Sequence, residues 1–520
     1  MQRTDGAHRP RMPSTIEVAL GALLVASVAL VSGCAAGPRY HQPEAQVDAG
    51  YAPTPLPESS ATAPVHGGEE QRLINGRDIP FEWWQLFQSP ALNALVEQAF
   101  KANPTIPAAQ AALAQAQESV RAQRGFYLPT VAAGFQAERV KVAGNNTQSS
   151  SLGIQGNGEN LGQPRQPAVP LYYQFYTAGL NVGFVPDVFG VNRRQVESLA
   201  AEEDAQRFVL EATYVTLASN VVGAAIQEAT LRAQIEATRQ IIDDDEKSLQ
   251  ILRDQFRLGF AMRIDVAAQE AALAQVETTL PPLQQQFEQT RDLIRALVGN
   301  LPNEDVPETF ELDALQLPPE LPLSLPARII EQRPDVRAAE AQLHAANAQV
   351  GVAVAAMLPQ FSITGTLGGN AAQIPLLFSS GGPFWTLVGG VTQPVFDGGT
   401  LLHTKRAASA ALKQAAAQYQ STVITAYQNV ADTLHASLSD AETLAGAVET
   451  ENAAKVTYDL TRRQMEAGYV NYLSLLSAET AYQQSLLARV QAQATRFGDT
   501  VALFQALGGG WWNRNEVAAR

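Results

Sequence analysis

The chain has 520 residues, 46% of them hydrophobic, a formal net charge of −15 and a single cysteine. So acidic a balance argues against nucleic acid as a partner. One thiol excludes an intrachain disulfide framework, so stability must come from packing, metal or oligomerisation.

In chain order, the first predicted element has a basic head (Arg3, Arg9, Arg11), an uncharged apolar stretch over 18–30 and the short run Val31-Ser32-Gly33 ahead of Cys34. This is the layout of a secretory signal, because an apolar run of about 7 to 15 residues engages the export machinery but cannot span a hydrocarbon core about 30 Å thick. Val31-Ser32-Gly33-Cys34 resembles a bacterial lipobox, in which the cysteine becomes the first mature residue and carries acyl chains such as palmitate. Each buried CH₂ contributes about 0.8 kcal/mol, so several chains hold a protein at a membrane without a spanning helix. In lipoproteins of this kind an Asp after the cysteine favours retention at the inner membrane; Ala35 stands there instead, which points to the outer membrane. Removal of residues 1–33, with three arginines against one aspartate and one glutamate, leaves a mature charge near −16.

Residues 35–80 carry Pro38, Pro43, Pro53, Pro55, Pro57 and Pro64 and read as an extended covering segment or flexible linker, with regular structure expected from about residue 81. From there the chain repeats itself. NPTIPAAQAALAQAQESVRAQRGFYLPTV (103–131) aligns without a gap to RPDVRAAEAQLHAANAQVGVAVAAMLPQF (333–361), an offset of 230 that pairs Pro104 with Pro334 and Pro129 with Pro359. Further on, RDQFRLGFAMRIDVAAQEA (253–271) aligns with RRQMEAGYVNYLSLLSAET (462–480) at an offset of 209, pairing Gly259 with Gly468 and Glu270 with Glu479. The difference is taken up by the Gly-, Asn- and Ser-rich stretch 143–163, which has the composition of an exposed loop.

Each copy opens with a helix of about 24 residues that has proline in its first turn. Two strands follow. FSITGTL (361–367) alternates cleanly, with Phe361, Ile363 and Leu367 opposed to Ser362, Thr364 and Thr366. The stretches 132–138, 176–184 and 384–391 alternate less cleanly and are rich in glycine. Then come long proline-free helices: 191–256, with Ile235, Ile242, Leu249 and Phe256 at coiled-coil spacing, and 401–467. At 1.5 Å per residue each reaches about 100 Å. Gly259 and Gly468 are the expected hairpin turns into returning helices, the first of which Pro281 and Pro282 should kink or interrupt.

The fold class is therefore mainly α with a small β contribution, a duplicated unit of helix, β-hairpin and long helical hairpin. Its expected divisions are a signal peptide (1–33), a lipidated tether (34–80), a first repeat (81–300), a linker (301–326), a second repeat (327–508) and a tail (509–520). Four strands cannot close a barrel, and open edges are intolerable in hydrocarbon, so several chains must combine; three would give twelve strands.

Catalytic and cofactor chemistry is not indicated. The six histidines (8, 41, 66, 344, 403, 435) show no metal-ligand spacing, and no metal or cofactor is expected apart from lipid on Cys34. Asp243-Asp244-Asp245-Glu246 offers a cation site but reads first as a solvated helix face, and Trp83, Trp84, Trp511 and Trp512 read as packing residues rather than interfacial anchors.

The lipobox, WWQLFQSPALNALVEQAFKANP, the paired YLPTV and MLPQF segments and AGYVNYLSLLSAE, in that order on a duplicated chain, resemble the TolC-type outer-membrane efflux proteins, in the lipoprotein branch called NodT-like. The resemblance covers nearly the whole mature chain. It implies a homotrimer with a twelve-stranded barrel in the outer membrane, a coiled-coil tunnel in the periplasm, and an equatorial region built from the early segment, the 300–326 linker and the C-terminus. The implied partners are a periplasmic adaptor (membrane fusion) protein and an inner-membrane pump of the resistance-nodulation-division type, in a system exporting drugs or other small toxic compounds. Type I protein secretion and a lipid-anchored coiled-coil scaffold without a pore are the alternatives.

The family pattern after Gly468 is a Tyr-Leu pair and then an acid, with the leucine constricting the closed periplasmic mouth. Tyr472 and Leu473 match this pattern, whereas Ser477 stands where the acid is expected. In the first copy Asp265 keeps a carboxylate near the tip beside Arg263. The expectation is that Leu473 narrows the mouth and that Asp265 and Arg263 help latch it.

Overall fold

The computed structural model describes residues 35–43, 50–51, 56–142, 171–323 and 326–514. The signal peptide, Cys34 and the stretch 143–163 lie outside the described residues. The elements are β1 (Arg72–Asn75), α1 (Pro90–Ala102), α2 (Thr105–Gly125), β2 (Thr130–Val142), β3 (Leu171–Phe184), α3 (Val191–Arg257), α4 (Arg263–Glu277), α5 (Leu280–Leu297), β4 (Glu320–Leu323), α6 (Pro326–Gln332), α7 (Pro334–Ala355), β5 (Gln360–Ala371), β6 (Pro383–Thr392), α8 (Thr400–Glu466) and α9 (Tyr472–Ala506). The duplication is carried through in detail. The opening helices α2 and α7 have 21 and 22 residues, and α3 and α8 have 67 each. The first return is interrupted as expected: α4 stops at Glu277 and α5 restarts at Leu280, with proline in its first turn, where the missing N–H has no helical partner to lose.

By their contacts the described residues form two compact units, each drawing on both repeats: those within Met1–Tyr40, Glu118–Ala200 and Ala345–Leu412, and those within His41–Gln117, Ala201–His344 and Lys413–Arg520. The first unit is organised around an antiparallel sheet of order β2-β3-β5-β6, in which the β3–β5 pairing joins the two repeats. Cross-strand partners share a face. The register therefore puts Val131, Ala133 and Phe135 of β2 beside Val182, Leu180 and Ala178 of β3, and continues through Ile363 and Leu367 of β5 to Trp385, Leu387 and Val391 of β6. This face is apolar and largely open; Trp385 is 74% exposed. The other face carries Thr130, Gln136, Thr177, Asn181, Ser362, Thr364, Thr366 and Thr386. At the seam between repeats Gly179 and Gly368 are register partners, and a Cβ on Gly368 would lie 2.4 Å from the Ala178 carbonyl oxygen, so the close approach there requires glycine.

In the second unit an aromatic core forms where α1, α9 and the 3-10 turn Trp83–Phe87 meet. Trp83 stacks on Phe504 with ring centroids 5.1 Å apart, and Phe87, Leu92, Leu95 and Phe497 are fully buried. Trp511 packs edge-on against Phe208. The linker is fastened through Arg291 of α5, which donates to the carbonyl oxygens of Val306 (2.6 Å) and Glu308 (2.8 Å) and sits 3.6 Å from the buried carboxylate of Glu228.

Ordered structure begins earlier than residue 81. β1 pairs in parallel with β4, Arg72 opposite Glu320 through Asn75 opposite Leu323. Arg496 of α9, 1% exposed, donates to the Gly67 and Glu69 carbonyl oxygens (2.8 and 2.6 Å) and to Ser60 Oγ (3.0 Å). Residues 60–75 are thus a clamped covering segment. Of the two readings of 35–80, the extended covering segment holds here, but regular structure starts before residue 81, and the anchoring arginine that fixes it lies more than 400 positions downstream. Replacing Arg496 with Leu takes this donor from the Gly67 and Glu69 carbonyl oxygens, while Ser60 Oγ keeps the Gln71 N–H, and is expected to cost about 1 to 3 kcal/mol. A lowered thermal midpoint together with new proteolytic cleavage within 60–75 would show it.

Candidate functional site

Both helical hairpins turn in the same way. The N–H groups of Phe260 and Tyr469 reach back to the carbonyl oxygens of Gln255 (2.8 Å) and Gln464 (2.9 Å), and the preceding Gly259 and Gly468 have φ of 82° and 78°. This is the left-handed glycine stop of a helix, which satisfies the terminal carbonyls and leaves a Cβ strained. The returning helices are then capped differently. Asn471 caps α9 with its side-chain oxygen on the Ser474 N–H (3.0 Å). For α4 the cap comes from within: Asp265, buried, accepts from the Met262 N–H at 3.0 Å. Its negative charge also suits the positive end of the helix.

The residues singled out from sequence separate into two groups. Tyr472 packs on the cluster of Leu249, Leu252, Val266 and Leu273, and its hydroxyl donates to Gln269 Oε1 at 2.6 Å. Burial pushes its phenol further up, so it remains a neutral donor. Gln269, itself fully buried, donates through Nε2 to the Asp245 carbonyl oxygen at 3.2 Å. Tyr472 therefore ties α9 through α4 to α3. Leu473 and Ser477 face away from this contact, on an exposed strip of α9 that continues through Thr480 and Gln484. Arg263 is exposed and makes no ion pair with Asp265.

Beneath the tyrosine lies a group that sequence reasoning missed. Asp245 is 1% exposed, which corrects the reading of the 243–246 run as wholly solvated: Asp243 and Asp244 meet Lys247 at the surface, while Asp245 turns inward and accepts from Gln483 (3.1 Å). Glu479 of α9 is buried close by. Its carboxyl is pushed up to about 7 by burial first and then by the charges of Asp245 and Asp244, with Arg462 of α8 opposing. Burial likewise raises Asp245, against the hydrogen bonds from Gln483 and Gln269. The signal for Glu479 was in the repeat alignment, but its counterpart Glu270 is partly exposed and pairs with Arg253 at 2.9 Å, so equivalence in sequence did not carry over to environment.

Residues 95–300 and 325–509 match the profile of the outer membrane efflux proteins. The chain belongs to the outer membrane efflux protein family. Its relatives include the pyoverdine export outer membrane protein OpmQ of Pseudomonas putida, 26% identical over 88% of this chain and 94% of its own length. Another is the toluene efflux pump outer membrane protein TtgC, also of Pseudomonas putida, 27% identical over 95% of this chain and 96% of its own length. Among solved structures the outer-membrane channel OprN superimposes with a TM-score of 0.79 at 26% identity, covering 92% of this chain and all of that one. The protein is thus an outer-membrane channel component of the efflux class, mainly helical with a sheet suited to a barrel wall. The Tyr472, Gln269, Asp245 and Glu479 group lies where α3, α4 and α9 meet.

Because Glu479 has a higher pKa folded than unfolded, its contribution to stability is full below about 4.5 and is lost as pH rises through about 7. Asp245 acts in the same direction. Glu479→Gln is expected to raise the thermal midpoint at pH 8 by a few degrees, on the order of 1 to 3 kcal/mol, with little change at pH 5. Melting curves of both proteins between pH 5 and 8 check this; parallel curves would remove Glu479 as the titrating group.

Proposed function

We propose that three copies of this chain form the outer-membrane conduit of a tripartite efflux system. The observation that carries the reading is the four-stranded sheet, apolar on one face and hydroxyl- and amide-rich on the other, with β2 and β6 at its edges and without a further partner among the described residues. Such a sheet satisfies its backbone in hydrocarbon only by joining further copies edge to edge, and three copies make a twelve-stranded barrel with the apolar face to lipid and the polar face to the lumen. The helices α3 and α8, with their returns, then line a tunnel whose tips meet a periplasmic adaptor protein, with a pump of the resistance-nodulation-division type below it. The conduit is passive and non-catalytic, and needs neither metal nor cofactor. The OpmQ and TtgC names support small organic molecules as cargo.

Cys34 carries the lipid in this reading. Ala36, two residues on, donates its N–H to the Phe189 carbonyl oxygen (3.0 Å) where β3 gives way to α3. At the tips Leu473 forms the constriction, and the Tyr472 hydroxyl together with the Asp265 cap keeps the returning helices closed. Arg263 is available to face a neighbouring copy.

Purified protein in planar bilayers should show channels of a trimeric mass. Leu473→Ala and Tyr472→Phe should each raise the open current, the second by leaving Gln269 Oε1 buried without a donor, at a cost of about 1 to 3 kcal/mol to the closed tip. A monomer without conductance would sink the conduit, and unchanged current in both variants would sink the gate.

A further inference from the structure

The mature chain is acidic, yet the end of the sheet from which the long helices leave is not. Register sets Thr130 beside Gly183, Gly183 beside Thr364 and Gln360 beside Thr392, so β2 and β5 begin, and β3 and β6 end, at this one rim. The segments next to it, 35–40, 118–129, 185–200 and 393–412, hold seven arginines and lysines against four acids. All four acids are engaged. Glu118 and Glu197 pair with Arg121 (2.5 Å) and Arg194 (2.7 Å). Asp187 accepts the Asn192 and Arg193 N–H groups (2.9 and 2.8 Å), and Asp397 those of Gly399 and Leu401 (2.9 and 2.7 Å), so both carboxylates answer the positive ends of helices. Arg39, Arg124, Lys405 and Arg406 remain, exposed and with no ion pair among the described residues.

Two independent features put these cations at one level of a bilayer. The apolar face of the sheet ends at the rim; Arg124 lies six residues before Thr130, and Lys405 and Arg406 stand about 8 Å along α8 from its first residue. The headgroup layer outside the hydrocarbon is about 5 to 8 Å thick, and long basic side chains reach back toward it. The N-terminus marks the same level. A Cβ on Gly37 would lie 2.5 Å from the Cα of Gly351 in α7, and Arg194, 5% exposed, donates to the Ala36 carbonyl oxygen at 3.1 Å. Cys34 is thus two residues from a fixed point beside the first turn of α3, and the acyl chains it carries in our reading enter the bilayer there. In the assembly proposed above β2 of one copy borders β6 of the next, so Arg124 of one and Lys405 and Arg406 of the other approach with like charge, which an anion between them relieves.

We propose that Arg39, Arg124, Lys405 and Arg406 form a basic collar that binds the phosphate headgroups of anionic phospholipids in the leaflet facing the periplasm. The proposal rests on the reading that the sheet spans the outer membrane, and it adds the lipid class that the chain selects and the residues that select it.

The test reconstitutes the full-length protein in vesicles of equimolar phosphatidylglycerol and phosphatidylcholine, re-extracts it in mild detergent and weighs the retained lipids by native mass spectrometry. Phosphatidylglycerol is expected in ~tenfold excess or more, falling to near parity in the variant carrying Arg39→Gln, Arg124→Gln, Lys405→Gln and Arg406→Gln. Exchanging lysine and arginine at the same four positions keeps the charge and should keep the excess. Parity in the unmodified protein would overturn the collar. So would an undiminished excess in the glutamine variant, and a loss of anion selectivity there instead would place these cations in the lumen. Should the glutamine variant lose its trimeric mass, Arg124→Gln and Lys405→Gln alone give the second measurement; each should reduce the excess severalfold, and an unchanged excess in both would overturn the proposal. Inorganic phosphate separates a headgroup from a free anion. Phosphatidylglycerol should raise the thermal midpoint where phosphate at the same concentration does not, and an equal rise would overturn the lipid assignment. A monomer without conductance removes the conduit on which the proposal rests, whereas a conducting trimer without lipid preference removes the collar alone.

Discussion

The constraint on which this molecule depends is the row of backbone N–H and C=O groups along the free edges of β2 and β6. In water such groups are satisfied by solvent; in hydrocarbon each one left unpaired costs several kcal/mol, far more than any single side-chain contact returns. With 13 residues in β2 and 10 in β6, the penalty for an open sheet would exceed the whole stability of a domain. In the conduit we propose, these edges dictate assembly. Duplication makes this economical, because the β3–β5 pairing already joins one repeat to the other inside the chain.

Much of this was legible in the sequence, for reasons that can be named. The prolines at 104 and 334, the glycines at 259 and 468 and the equal proline-free spans report backbone requirements that no tertiary contact can override, and they placed α2, α7, α3 and α8 to within a few residues. The sheet was harder to read. β5 alternates by itself, but along β2 the apolar face is partly Ala133 and Ala137, and along β6 a valine, Val388, and an aromatic, Phe384, sit on the polar face. The face contrast belongs to the four strands together and emerges only through their register.

The residues that could not be read are those whose environment is set from far along the chain. Nothing near Ser60 or Gly67 announces that Arg496 will reach them, and nothing in a run of four acids says that the third will turn inward. A helix periodicity fixes which residues share a face; it does not say which face another helix will cover. That decision rests with α9, whose approach buries Asp245 and Glu479 together.

Set side by side, the two ends of α9 differ in packing more than in charge. Its C-terminal half lies in stacked aromatic rings and carries a buried arginine that donates three hydrogen bonds. Its N-terminal end rests on a small aliphatic cluster, one tyrosine hydroxyl and two carboxyl groups that burial makes reluctant to ionise. Both halves hold such acids: in the C-terminal half Asp499 pairs with Asp440 of α8, whose carboxyl is pushed up to about 7 by burial first and then by Asp499. Rising pH therefore weakens both ends, and what distinguishes them is the aromatic core and the arginine clamp, which fasten the C-terminal half where the other end has only its small cluster.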